Sequence, residues 1–143
     1  MALPESFETS AVILATPKRI YEAWLDSQEH TNMTGGKAEV SAEPGASFTA
    51  WDGDITGVNL ELAPYRRIVQ SWRSSRFPEG APDSRLEVEL VRTRDQRAGI
   101  TATVRHSNVP EGQGDACKEG WSERYFEPMK RYFARGNNRY MRP

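Results

Sequence analysis

The stretch on which the fold turns is Gly120-Trp121-Ser122-Glu123-Arg124-Tyr125-Phe126-Glu127-Pro128-Met129-Lys130-Arg131-Tyr132-Phe133. Trp121, Tyr125, Pro128, Met129 and Tyr132 recur three and four residues apart and form one apolar stripe of a helix, with Phe126 and Phe133 adjoining it. Glu119, Glu123, Arg124, Glu127 and Arg131 cover the opposite side, and Glu127 precedes Arg131 in the favourable i,i+4 order. The pattern predicts a helix from about Asp115 to Arg135. A bend is expected at Pro128, whose ring nitrogen cannot donate to the Arg124 carbonyl. So many rings on one terminal helix need a broad apolar surface to receive them, and a sheet curled around the helix supplies it.

Upstream the period is two. Leu86, Val88 and Leu90 alternate with Glu87 and Glu89, and Ile100, Ala102, Val104 and His106 alternate with Thr101, Thr103 and Arg105. This is the pattern of a half-buried antiparallel sheet. Ile68, Gln70 and Trp72 share one face of a preceding strand, and Val58, Leu60 and Leu62 one face of the strand before that. Phe48 and Ala50 lead into Asp52-Gly53, a pair suited to a tight hairpin turn. Val40 sits in a further short strand, and Phe7–Leu14 is a first one, giving about seven in all. Between them Thr16-Pro17 starts a helix, with a hydroxyl at the N-cap and proline at the first helical position. Asp26 or Ser27 caps a second short helix, which Gly35-Gly36 ends. The segments 74–84 and 108–114 are loops, the first reading as an exposed loop or lid. The fold class is α+β: a curved antiparallel sheet, two short helices after the first strand, and a long C-terminal helix.

The chain has 143 residues, which makes one domain, 1–143, with 136–143 expected to be a flexible tail. Its 19 basic and 20 acidic residues balance to −1, so it lacks the electrostatic footprint of a nucleic-acid binder. The basic residues Arg135, Arg139 and Arg142 read as a solvated end. A lone cysteine, Cys117, excludes an internal disulfide. Met1–Ser10 carries no secretory signal and no apolar run approaches membrane-spanning length, so a cytoplasmic location is expected.

The order strand, two helices, six strands, long helix resembles the helix-grip fold shared by START lipid-transfer domains, the birch-pollen allergen family and polyketide cyclases. Within that SRPBCC superfamily, four segments are similar to the branch named for the activator of the heat-shock chaperone ATPase (AHSA-type). Ala15–Trp24 resembles its first-helix entry, and Asp52-Gly53-Asp54-Ile55-Thr56-Gly57 its DGxIxG hairpin. Leu60–Leu62 through Arg67–Arg73 resembles its strand–turn–strand ending in Trp-Arg. His106–Pro110 with Gly120–Phe133 resembles its last loop and helix. The likeness runs from about Phe7 to Phe133. Eukaryotic activators carry a separate N-terminal domain that supplies much of the chaperone contact, whereas this sequence opens at the helix-grip domain. The resemblance thus implies a fold and a cavity, and no reaction.

The implied cavity lies between the concave sheet face and the last helix. Phe48, Leu60, Gln70, Trp72, Leu86, Val88, Val104, His106, Trp121, Tyr125 and Met129 are the residues expected on it. They either contact an apolar or aromatic ligand, with Gln70, His106 and Tyr125 setting selectivity, or simply fill the core. His106 could orient a ligand or act as a base, or be satisfied by a loop carbonyl near Pro110. Cys117, near a helix start, is either a low-pKa thiol or an inert half-buried residue. His30 and His106 lie in different elements without supporting carboxylates, so no metal is expected, and no cofactor. Neither a phosphate-binding glycine loop nor a Gly-x-Ser-x-Gly elbow is present. Three functions follow: a non-enzymatic module for a small hydrophobic ligand, a chaperone-interaction domain, and a cyclase-like enzyme, in that order. Sheet edges leave monomer and homodimer both open.

Overall fold

The computed structural model describes residues 3–93 and 99–134; the expected tail at 136–143 lies outside them, as do Arg135, Arg139 and Arg142. The chain runs β1 (Glu5–Ile13), α1 (Pro17–Trp24), α2 (Ser27–Thr34), β2 (Ser47–Ala50), β3 (Ile55–Ala63), β4 (Arg67–Ser74), β5 (Ser84–Arg92) and β6 (Ile100–Val109). It closes with α3 (Gly114–Gly120), a π-helical segment (Trp121–Phe126) and α4 (Glu127–Ala134). The six strands are antiparallel in the order β1-β6-β5-β4-β3-β2, and the helix-grip fold is formed.

Both short helices start and stop where their residues dictate. The Thr16 hydroxyl accepts from the Arg19 N–H and Pro17 occupies the first helical position. The Asp26 carboxylate accepts from the Glu29 N–H at 2.9 Å, and Gly35 ends α2 at φ 89°. The two helices are tied to the chain's end. Arg19 pairs with Glu29 at 3.0 Å, the Tyr132 hydroxyl donates to the same carboxylate, and Arg19 lies 5.5 Å from the Phe133 ring centroid.

The alternating faces of β4, β5 and β6 line up in register, Gln70 opposite Leu86 opposite His106, and Ile68 opposite Val88 opposite Val104. Their inward side chains are buried, as are Phe48, Trp121, Tyr125, Phe126, Met129 and Phe133 from the elements that close over them. Each buried aliphatic or aromatic side chain contributes about 1.5–3 kcal/mol, so this single core dominates stability. Pro128 and Tyr132 are only half-buried, whereas Phe126 is buried fully. Just before Pro128 the helix carries i→i+5 bonds, with the Glu127 N–H donating to the Ser122 carbonyl.

Two expectations are corrected. Among the described residues the strand count is six because Val40 joins no ladder: its N–H and C=O both bond the Ser27 hydroxyl, at 2.9 and 3.0 Å. Only an isolated Glu39–Thr49 bridge remains there. The second correction concerns β3. Asn59 pairs with Gln70 and Glu61 with Val69, so Leu60 is the extra residue of a β-bulge. Asn59 is the buried residue, donating to the Ser41 and Glu43 carbonyls at 2.9 and 3.0 Å and accepting from Gln70. Leu60 is 54% exposed and belongs to no interior surface.

Candidate functional site

The residues expected on the cavity separate into three groups. Leu60 points outward. Phe48, Gln70, Leu86, Val88, Val104, His106 and Met129 are buried and fill the space under the helix. Trp72, Trp121 and Tyr125 also reach an open groove of about 330 Å³ at the end of the grip, where the β2–β3 turn and the end of β4 meet the π-helical segment. That volume is at the lower end for a small-molecule site. The other walls come from Trp51, Asp54, Arg76, Cys117 and Arg124, which the sequence reading did not assign to the cavity. The hairpin signal at Asp52-Gly53 marked the turn that carries Trp51 and Asp54, but a turn residue gives no hint of what its side chain reaches.

The inner wall is an aromatic stack. Trp24 lies 5.1 Å from Tyr125 and 6.1 Å from Trp121 between ring centroids, both near-parallel, and Trp121 is 6.1 Å from Trp72. Two histidines complete it. His106 Nδ1 is 3.2 Å from the Trp121 indole nitrogen, which can only donate, so Nδ1 is the unprotonated nitrogen. Nε2 therefore carries the proton and donates to the Ser84 hydroxyl at 2.7 Å, and Ser84 donates to the Trp72 carbonyl at 2.9 Å. Ser84 and Trp121, not a loop carbonyl near Pro110, satisfy this ring. Burial holds its pKa down to about 4.

His30 is a second satisfied histidine, buried beside Tyr125. Its Nδ1 donates to the Trp24 carbonyl at 2.8 Å, and Nε2 accepts from the Tyr125 hydroxyl at 2.9 Å. Burial lowers the imidazole pKa against the opposing pull of the Trp24 carbonyl, and burial raises the Tyr125 phenol. Both histidines are thus neutral, with every ring nitrogen engaged. Burial also raises the Cys117 thiol, with Arg76 opposing, so the low-pKa reading of that residue is corrected.

At the groove's mouth Arg124 donates to Asp54 at 3.0 Å and lies 4.9 Å from the Trp51 ring centroid. Burial would raise the Asp54 carboxyl, but hydrogen bonds from Ser75 and Arg124, with the Arg124 and Arg76 charges, hold it below its ordinary value. A shallower depression of about 440 Å³ lies between α1 and the β3–β4 turn, with Tyr21, Pro64 and Tyr65 on its walls.

The family model for "Activator of Hsp90 ATPase homolog 1-like protein" matches residues 14–134. The chain belongs to that family. As an AHSA1-like protein it is 25% identical over 136 residues to the human activator of 90 kDa heat shock protein ATPase homolog 1, covering 95% of this chain and 37% of the relative. The Dictyostelium discoideum activator is 23% identical, over 94% of this chain and 33% of its own length. The AHSA1-like chain therefore spans about a third of the curated relatives it matches. Among solved structures, PFC0360w, an HSP90 activator from Plasmodium falciparum, superposes with a TM-score of 0.79 at 23% identity, over 90% of this chain and 96% of that one. MLL2253 from Mesorhizobium loti superposes at 0.76 with 17% identity, covering 92% and 98%. Among the described residues of this AHSA1-like chain, no helix is long and apolar enough to cross a membrane.

Proposed function

We propose that this chain is a non-catalytic binding module that takes a small ring-bearing apolar ligand in the groove between the β2–β3 turn and the π-helical segment. The carrying observation is the groove itself, about 330 Å³ with Trp51, Trp72, Trp121 and Tyr125 on its walls. Flat rings stack on such walls, and burial of apolar area supplies affinity at about 25 cal/mol per Å² before association costs. A catalytic reading finds little support, because His106 and His30 spend both nitrogens on structural bonds and Tyr125 is held protonated.

Gly120 gives a clean test. It lines the groove, and a Cβ there would meet no atom within 4 Å. Gly120→Leu is expected to fill the groove without disturbing the fold. Ring compounds that raise the melting temperature of the parent protein should leave this variant unmoved. If no ring compound shifts the parent, or if the variant responds equally, the reading fails.

A second reading rests on the family: contact with an Hsp90-type chaperone, through the outer sheet face or the 74–84 loop. Its test is the ATPase rate of a cytosolic Hsp90 with and without the protein. Stimulation that survives Gly120→Leu would assign the chaperone contact to a surface other than the groove. No binding at micromolar protein would count against this reading.

A further inference from the structure

The β2–β3 turn is built at some conformational cost. Trp51, Asp52 and Gly53 are three successive left-handed residues, at φ 51°, 58° and 88°. Only the glycine adopts that backbone freely, and a bulky tryptophan there is a clear outlier. The surroundings hold it: the Asp52 N–H donates to the Lys37 carbonyl at 3.0 Å, and the Ser75 hydroxyl donates to Asp54. The indole also lies so close to Gly36 that a Cβ there would stand 2.5 Å from the ring. The result is an indole face set beside a carboxylate. Among the described residues, the Trp51 Nε1–H is buried without an acceptor, so the ring is not placed there for a hydrogen bond of its own.

An aromatic face next to a carboxylate is a receptor for an organic cation. The chain's own Arg124 fills it, on a side chain that is 40% exposed. Glu119 and Glu123 line the same groove, and neither makes an ion pair among the described residues. Arg76 is the opposing cation on the rim. With Asp54, the lining carries three acids against two bases.

We propose that Trp51 and Asp54 form a cation subsite of the groove, occupied in the free protein by Arg124, and that the ligand is an aromatic amine or guanidine whose charged head displaces that side chain. This rests on the groove reading above. Glu119 and Glu123 leave the groove with acidic charge that favours a second cation over a neutral head once Arg124 has moved aside, and the ligand's ring gains further by burying against Trp72 and Trp121.

The experiment uses the full chain and three probes of one shape: 2-naphthylmethylammonium, 2-naphthylmethanol and 2-naphthoate, followed by calorimetry and the Trp51 indole N–H signal. In the parent protein the ammonium should bind more tightly than the alcohol, and the carboxylate least. Arg124→Gln should strengthen ammonium binding roughly fivefold while leaving the alcohol little changed. Asp54→Asn should erase the preference for ammonium. Alcohol binding as tight as ammonium in the parent, a comparison that needs no variant, would overturn the cation subsite and leave the groove reading standing. Weakened ammonium binding in Arg124→Gln would also overturn it. Failure of all three probes on the parent would sink both.

Discussion

Acidification should destabilise this protein through His106, and the size of the effect follows from the ring's surroundings. Burial holds the folded-state value near 4 against an ordinary 6.5. Between those values the unfolded chain binds a proton that the folded chain refuses, so stability rises with pH across the window and falls as pH drops through it. At about 1.4 kcal/mol per pH unit, the interval amounts to roughly 3 kcal/mol, fully present above pH 6.5 and gone by about pH 4. The geometry gives the same sign independently. A proton on Nδ1 would face the Trp121 indole N–H, donor against donor at 3.2 Å. His30, lowered by burial, adds to the loss in the same direction. The assay is urea unfolding at pH 7.5, 6.5, 5.5 and 4.5, with imidazole signals followed in parallel; the chain has only two histidines, so assignment is direct. A His106 signal titrating near 6.5 in the folded protein, or an unfolding free energy flat from pH 7 to 5, would refute the reasoning.

Three further outcomes are expected. Leu60→Lys should change the unfolding free energy by less than about 0.5 kcal/mol, while Leu86→Ala should cost roughly 2–5 kcal/mol; comparable losses at both sites would mean Leu60 is not on the outer face. Gly57→Ala should cost at least about 1–3 kcal/mol, because its Cβ would fall 1.9 Å from the Ser71 carbonyl oxygen and 2.6 Å from the Phe48 ring, forcing β3 and β4 apart. A melt unchanged from the parent would contradict that contact. Gly120→Leu should raise stability by up to about 1 kcal/mol, since glycine is the poorer helix former and the new side chain meets open space; a lowered melting temperature would show the groove walls to be closer than described.

Much of the architecture was legible because the deciding signals are local. Thr16-Pro17, Asp26 and Gly35 set helix ends through bonds within a few residues, and the alternation in β4, β5 and β6 needs no knowledge of their partners. Where tertiary contacts decide, the pattern misled. Leu60 turned outward because buried Asn59 answers carbonyls 16 and 18 residues away, while Leu62 beyond the bulge still packs against the core, and Val40 left the sheet because Ser27 takes both its backbone groups. The aromatic side of the groove was partly readable, since Trp72, Trp121 and Tyr125 stood out as rings on inward faces. Its charged rim was not, because Asp54 and Arg124 are 70 residues apart and each reads alone as a surface charge. His30 was likewise unreadable as Tyr125's partner, 95 residues distant.

The i→i+5 stretch before Pro128 has a consequence for length variation in this part of the chain. At 100° per residue, Trp121 and Phe126 would stand about 140° apart around the axis, whereas five-residue bonding brings them nearly one above the other, so both can face the sheet. Removing one residue between them would leave them four apart, about 40° from each other under ordinary winding, so Met129 and Phe133 would keep their face toward the sheet. In the regular turns of α4, which hold no such slack, the same deletion would rotate everything beyond it by about 100° and carry Phe133 off the sheet.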